Sequence, residues 1–205
     1  MASPDSVITK SLSKSFVGGL LFNNQMLYSV GMDMLMDLRP GKWDLLVLPR
    51  SMRDRFLTGL GYIAKKGSLL VLDGGNQFNA YIVSRSVRGR TNILKGIHVS
   101  RAFTCYQMVS LLENTPASTT ATVCLDFLAT FLDESLPVRE RQRLLESCLP
   151  HFSRLSKSAE FLVTISAPKV MLPETITFLN ILEKSAGNIW MEEYRAPKPE
   201  PLRLF

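Results

Sequence analysis

The stretch LLVLDGGNQFNAYIVSR, residues 69–85, contains in order the signals of a strand, a turn and a helix. Apolar residues precede Asp73, two glycines follow it, and Phe78, Tyr81 and Ile82 then recur at helical spacing. A strand that turns directly into a helix places free helical N–H groups at the strand end, where anions bind readily. The stretch therefore predicts an α/β fold and raises the question of whether this turn holds a phosphate.

Apolar strands alternate with helical segments along most of the chain. Runs that are apolar throughout are typical of parallel strands covered on both faces. We therefore predict one α/β domain over residues 41–194, doubly wound, with a mostly parallel sheet and helices on both faces. It lies between an N-terminal extension (1–40) and a Pro-rich tail (195–205). The predicted strands are 43–49, 68–75, 95–101, 121–131, 160–166 and 188–194. The predicted helices are 51–67, 77–88, 103–114, 136–157 and 173–187. Ser51 and Asp54 have the spacing of a capping box at the start of helix 51–67.

The composition predicts a sizeable core and a basic surface. The chain has 205 residues, 46% of them hydrophobic, and a formal net charge of +6. Cys105, Cys124 and Cys148 lie in apolar runs without the spacing of a metal site or a disulfide framework, so we expect buried thiols, no metal and a reducing compartment. Polar residues interrupt the apolar run between Phe16 and Met36, so we expect a soluble, cytoplasmic protein with no membrane partner.

Positive charge is concentrated in one part of the sequence. Residues 39–112 contain twelve Lys and Arg against three Asp, and no acidic residue lies between Gly74 and Leu112. Such a segment is either an ordinary solvated face or an anion-binding face, and the second interpretation predicts weak, salt-sensitive DNA binding. The predicted phosphate contacts are Arg85, Arg88, Arg90, Lys95 and Arg101.

The glycine turn lacks the groups of a P-loop. A P-loop, G-x-x-x-x-G-K-[ST], wraps phosphate with backbone N–H groups, neutralises it with Lys and binds Mg²⁺ through the hydroxyl. Residues 73–80, DGGNQFNA, provide no Lys and no hydroxyl, and the carboxylate of Asp73 would repel phosphate. A tight structural turn is one interpretation. A nucleoside- or S-adenosylmethionine-binding turn is another, although such sites use an acid at the end of the next strand, where this sequence has Arg101.

The other chemical groups give few candidates for catalysis. Asp126 lies inside the predicted strand 121–131, where a carboxylate is costly unless it is paired. One interpretation is that Asp126 holds Mg²⁺, as an acid at such a strand end does in P-loop enzymes. The other is that it caps a helix or bonds to a loop. The absence of a P-loop hydroxyl favours the second interpretation. His98 and His151 have no nucleophile or acid arranged around them, so we interpret both as structural.

The order and spacing of these segments resemble the core of RecA-like recombinases from about Gly67 to about Tyr194. SLLVLDGGNQFNAYIVSR (68–85) is similar to the family's strand, P-loop and first helix, and IHVSRAFTCYQMVSLLE (97–113) is similar to its next strand and helix. Residues 121–168 resemble the Walker B strand, a basic helix and the strand whose end senses nucleotide. The resemblance implies a RecA-like doubly wound fold.

The departures from the family imply a loss of its activity. The P-loop Lys and Thr are absent, and Arg101 stands near the place of the catalytic Glu, where it cannot polarise a water. The resemblance therefore implies no catalytic residue, no cofactor and an accessory role in DNA recombination, repair or translesion synthesis, as in related non-hydrolysing members. A pure protein-interaction scaffold is the alternative, and oligomerisation stays open. The nucleotide-site remnant comprises Asp73, Gly74, Gly75, Asn76 and Asp126.

The C-terminal tail has the pattern of a docking peptide. Its three prolines keep RAPKPEPLRLF (195–205) extended, and Leu202, Leu204 and Phe205 end the chain with apolar groups. These three residues resemble the Gln-Leu-x-Leu-Phe peptide that binds the bacterial sliding clamp, with Pro201 in place of Gln. The alternative is that the segment folds back on the protein's own core.

Overall fold

Six strands form a single sheet in the part of the chain that the computed structural model describes, namely residues 35, 37–88, 90–132, 135–167 and 172–191. The strands are β1 (Trp43–Leu48), β2 (Leu69–Asp73), β3 (Ile97–Arg101), β4 (Ala121–Leu125), β5 (Phe161–Ser166) and β6 (Asn188–Met191). Their order across the sheet is β3-β2-β4-β5-β1-β6, and every neighbouring pair is parallel. The predicted α/β fold with a parallel sheet is confirmed.

Helices cover both faces of this sheet, as the doubly wound prediction requires. In chain order they are α1 (Arg53–Lys66), α2 (Ala80–Ser86), α3 (Thr91–Lys95), α4 (Cys105–Asn114), α5 (Val138–Ser156) and α6 (Pro173–Ser185). Short 3₁₀ turns precede α1 (Arg50–Met52) and follow β4 (Phe127–Thr130). The long helix α5 runs through Pro150 without ending.

Each face of the sheet has its own hydrophobic core. Residues of α1, α2 and α3 pack on one face, and residues of α4, α5 and α6 pack on the other. Successive residues of β1 serve the two cores in turn, because Leu45 belongs to the α4–α6 core and Leu46 to the α1–α3 core, and both are fully buried. This alternation explains why the strands read as continuously apolar.

Four of the five predicted helices begin two or three residues later than expected, and two of these shifts have a clear cause. The predicted capping box is wrong, because α1 follows a 3₁₀ turn that closes when Met52 N donates to Pro49 O at 2.9 Å, and no side chain caps the helix. The helix expected over 77–88 is the shorter α2, since the Asn79 side chain accepts from Tyr81 N and Ile82 N and so fixes the start at Ala80. We did not predict α3, which begins after Arg90 at its N-cap.

The strand expected over 121–131 ends six residues early. Asp126 has φ 46° and ψ 50°, in the left-handed region, which breaks the extended chain after Leu125. The residues that follow stay apolar because Phe127, Leu128 and Phe131 are buried in the α4–α6 core. Burial and extended structure give the same apolar run, so the pattern alone could not separate them.

Candidate functional site

The ends of β2 and β4 lie side by side at the carboxyl edge of the sheet. Asp73 ends β2, Asp126 follows β4, and Asp73 is opposite Leu125 in the register of the two strands. The chain leaves β2 toward α2 on one face and leaves β4 toward α5 on the other. Such a divergence opens a crevice in which α/β proteins commonly bind ligands. This edge is therefore the candidate site.

Asp73 closes the glycine turn on itself. Its carboxylate is fully buried and accepts hydrogen bonds from Gln77 N at 2.8 Å and from Phe78 N at 2.9 Å. The Gln77 side-chain amide also donates to Gly75 O at 3.0 Å. The backbone N–H groups that a phosphate would need at residues 77 and 78 thus already have a carboxylate as acceptor.

Arg101 supplies the positive charge that this buried carboxylate needs. Its Nε lies 3.3 Å from Asp73 Oδ2, and its Nη2 donates to Phe78 O at 3.3 Å. The Arg101 side chain is 43% exposed, whereas that of Asp73 has no exposure. Arg101, which we predicted as a DNA contact, thus also forms an ion pair with the turn.

The two glycines allow β2 and Asp126 to approach closely. Gly74 N donates to Leu125 O at 2.8 Å, which continues the pairing of the two strands. A methyl group added at Gly75 would overlap the Asp126 carboxylate, and one added at Gly74 would lie 2.8 Å from the Met108 Cε. Asn76 then turns the chain with a positive φ of 52°. The glycines therefore serve close packing, and the space beside Gly75 is filled by a carboxylate.

Asp126 joins β4 to β5. Its backbone N–H donates to Thr164 Oγ1 at 3.0 Å, and its Oδ1 accepts from Ser166 N at 2.9 Å. Thr164 is 4% exposed and Asp126 is 9% exposed. The structure thus brings the predicted remnant residues 73–76 and 126 together, and it adds Thr164 and Ser166, which our reading of the sequence did not single out. Thr164 and Ser166 could have been found because they lie at the carboxyl end of a strand, and the carboxyl ends of parallel strands lie at the same edge of a sheet.

A small cavity lies beside Asp126 at the ends of β1 and β5. Its volume is about 30 Å³, and its lining includes Arg50, Arg53, Gln77, Thr164 and Ser166. This space suits one or two waters and is far smaller than a nucleotide pocket. The connection from β1 to α1 is only Pro49–Met52, without glycine, so it cannot form a P-loop either.

The buried thiols and the histidines contribute no nucleophile. Burial raises the pKa of the Cys124 thiol well above its ordinary value, and burial also raises the pKa of Cys148. Both thiols therefore stay protonated and unreactive at neutral pH. His98 lies exposed on β3 and His151 lies on α5, far apart along the fold. Among the described residues, no cluster of His, Cys, Asp or Glu could hold a metal ion.

The other predicted DNA contacts are exposed and lie along the chain between α2 and β3. We name them the basic face and define it as Arg85, Arg88, Arg90 and Lys95. Arg85 lies in the last turn of α2, Arg88 follows with a positive φ of 51°, and Lys95 ends α3. The basic face runs from α2 to the amino end of β3. Four of the five predicted contacts therefore lie within eleven residues of sequence that contain no acidic side chain.

Comparison with solved structures identifies the fold. A RadB recombinase superimposes with a TM-score of 0.55 over 84% of this chain and 86% of that chain, at 13% sequence identity. The fold is RecA-like. A second RecA-like neighbour is the ATP synthase subunit NeqB from Nanoarcheaum equitans, with a TM-score of 0.50, 13% identity and 82% of this chain covered. This chain spans half of that subunit's length.

No protein-family model matches the RecA-like chain, and no curated protein sequence does so. None of the helices in the described ranges combines the length and apolar content that crossing a bilayer demands. The predicted clamp-binding residues Leu202, Leu204 and Phe205 lie outside the described residues, as do positions 1–34 and 36 of the predicted extension over 1–40.

Proposed function

We propose that this chain is a RecA-like accessory protein of DNA recombination, repair or translesion synthesis that binds DNA weakly and does not hydrolyse ATP. The observation that carries the proposal is that the groups at the carboxyl edge of the sheet already bind one another. The backbone N–H groups of Gln77 and Phe78 donate to Asp73, and Arg101 pairs with the same carboxylate. The partner that the tail pattern favours is a sliding clamp.

The site has no group that could drive phosphate hydrolysis. A phosphate at the turn would meet the buried carboxylate of Asp73, and Arg101 already pairs with that carboxylate. A water beside Asp126 would find its Oδ1 already bonded to Ser166 N. The same pairing disfavours a nucleoside site, since no free acid ends β3 to hold ribose hydroxyls.

We propose that the basic face contacts the phosphates of DNA. Its four side chains are exposed and project from short elements, α2, α3 and the turn between them. Lys and Arg that neutralise phosphates release counterions, so affinity should fall steeply as salt rises. No base-reading pattern is evident in this row, which fits binding without sequence preference.

The first experiment measures nucleotide binding and turnover on the full chain. Isothermal titration with ATP and Mg²⁺ should give no saturable heat, and phosphate release should equal the buffer blank. The reason is that neither the β1–α1 connection nor the β2–α2 turn has a Lys, and the β2–α2 turn also has no hydroxyl for Mg²⁺. Micromolar binding together with measurable hydrolysis would overturn this part of the proposal.

The second experiment tests the basic face by charge reversal. Arg88→Glu with Arg90→Glu should weaken binding to a fluorescent oligonucleotide at low salt and should lower the slope of log affinity against log salt by about 2, since roughly one counterion is released per phosphate contact. The matched control is Lys157→Glu with Lys184→Glu, which makes the same charge change at exposed sites after α5 and on α6. Equal weakening by both pairs would assign the effect to net charge alone. An absence of DNA binding at low salt would favour a protein-interaction scaffold.

A further inference from the structure

The two edge strands of the sheet differ in charge. Among the described strands, β3 has β2 as its single neighbour, and β6 has β1 as its single neighbour. An edge strand presents unpaired backbone groups, and proteins commonly protect it with charged side chains, Lys above all. β3 follows Lys95 and ends at Arg101, whereas β6 has the sequence Asn-Ile-Trp-Met, without a charge. β6 therefore lacks the protection that β3 has.

The side chains of β6 add apolar surface to this open edge. Ile189 is 41% exposed, and Trp190 is partly exposed where it packs beside the α1–α3 core. On the other edge strand, Val99 is exposed to a similar extent, 37%, but it lies two residues from Arg101. An exposed apolar edge without charge is suited to pair with another strand.

The two ends of β6 have opposite charges beside them. At the amino end, the Lys42 side chain packs against Gly187, because a Cβ at that glycine would lie 2.6 Å from the Lys42 Cβ. Beyond the carboxyl end, the sequence continues with Glu192 and Glu193. Antiparallel pairing of two such strands brings the acidic end of each beside the basic end of the other. A parallel pairing would place like charges side by side, which is unfavourable.

We propose that β6 pairs antiparallel with β6 of a second copy of this chain, so that two sheets join into one continuous sheet across a two-fold axis. Such a contact is self-complementary, because the same strand serves both partners. The uncharged strand does not repel its own copy, and its two ends attract each other. β6 lies at the opposite edge of the sheet from β3, so this inference is independent of the proposed DNA binding.

The first test measures the mass of the full chain against concentration by sedimentation equilibrium. The mass should rise from that of one chain toward that of two, and no further, because a two-fold contact is closed. Ile189→Lys should weaken the dimer roughly 3- to 30-fold, since it replaces an apolar cross-strand contact by a charge in both copies. The matched control is Val99→Lys on β3, which makes the same change at a similarly exposed position and should leave the dimer unchanged.

A charge exchange tests the antiparallel direction. Lys42→Glu should weaken the dimer, because it brings acid beside acid, and Glu192→Lys with Glu193→Lys should weaken it by bringing base beside base. The triple variant restores opposite charges with their positions exchanged, so it should regain most of the lost affinity. A triple variant that loses as much as the two sets of changes together would contradict the antiparallel pairing.

Cross-linking locates the contact. Ile189→Cys should give a covalent dimer with a short bismaleimide, because the two copies of residue 189 lie within about 10 Å of each other when the strands pair antiparallel. Val99→Cys should give none, and the three native thiols are buried. A single-chain mass at every concentration would overturn the inference. A dimer that forms equally well with Ile189→Lys would also overturn it, since the copies would then associate through another surface.

Discussion

The two faces of the sheet are built from different side chains. The α4–α6 face contains most of the buried aromatic rings, and the α1–α3 face is mainly aliphatic. Helix α5 has 19 residues, whereas α2 has seven and α3 has five. Long, aromatic-packed helices gain most of their stability from burial. The basic face lies on the short helices, so the molecule separates the region that stabilises the fold from the region proposed to bind.

Phe152 lies at the centre of the aromatic face. Its ring centroid is 5.1 Å from those of Trp43 and Phe127 and 5.4 Å from that of Phe161. Phe152→Ala should lower the free energy of unfolding by about 3–5 kcal/mol, because it leaves a cavity and removes these ring contacts. Urea denaturation followed by circular dichroism measures this loss.

The matched variant on the other face is Phe56→Ala in α1. Phe56 is 7% exposed and packs among aliphatic side chains. It should cost less than Phe152→Ala by about 1–2 kcal/mol, since aromatic pairs add to simple burial. Equal losses for the two variants would remove the proposed difference between the faces.

Two ion pairs, Arg141–Glu174 and Asp73–Arg101, allow a second comparison between parts of the fold. Arg141 is 3% exposed, bonds to Glu174 at 2.8 Å, and also donates to Phe131 O and Leu136 O. Glu174→Ala leaves a buried guanidinium without a counter-charge, so it should cost about 3 kcal/mol of unfolding free energy. The measurement is again a urea titration, with the dependence on denaturant checked for constancy.

Arg101→Ala should have a smaller effect than Glu174→Ala. The remaining Asp73 still accepts two backbone N–H groups, and Arg101 is partly exposed, so the expected cost is about 1 kcal/mol. A larger cost for Arg101→Ala than for Glu174→Ala would mean that the β2–β3 side carries more of the stability than we infer.

Much of the fold could be predicted from the sequence because it depends on local patterns. Apolar runs separated by helical periodicity gave six strands in the correct order along the chain, and their parallel pairing followed from burial on both faces. Two predicted boundaries were wrong. The apolar residues after Asp126 are buried in a 3₁₀ turn and do not extend the strand. The helix after Gly75 starts later than predicted because the Asn79 side chain caps it.

The site could be predicted only in part, because its geometry depends on contacts between distant residues. The sequence indicated that Asp73, the glycines and Asp126 belong together, and the structure places them in contact. It did not indicate that Arg101 would pair with Asp73, since the β3 register decides that contact. A charge count treats every Arg alike, and only the fold shows which Arg pairs with a buried carboxylate.

The position of β1 within the sheet has a consequence for how the chain folds during synthesis. β1 is the first described strand to leave the ribosome, but its neighbours in the sheet are β5 and β6, the last two. Trp43 pairs in register with Phe161, so the early strand must wait until most of the chain has been made. Loop closure over that length slows folding, and an unpaired apolar strand is prone to aggregate meanwhile. Slow translation or a chaperone that shields residues 43–48 should therefore raise the yield of folded protein more than faster expression does.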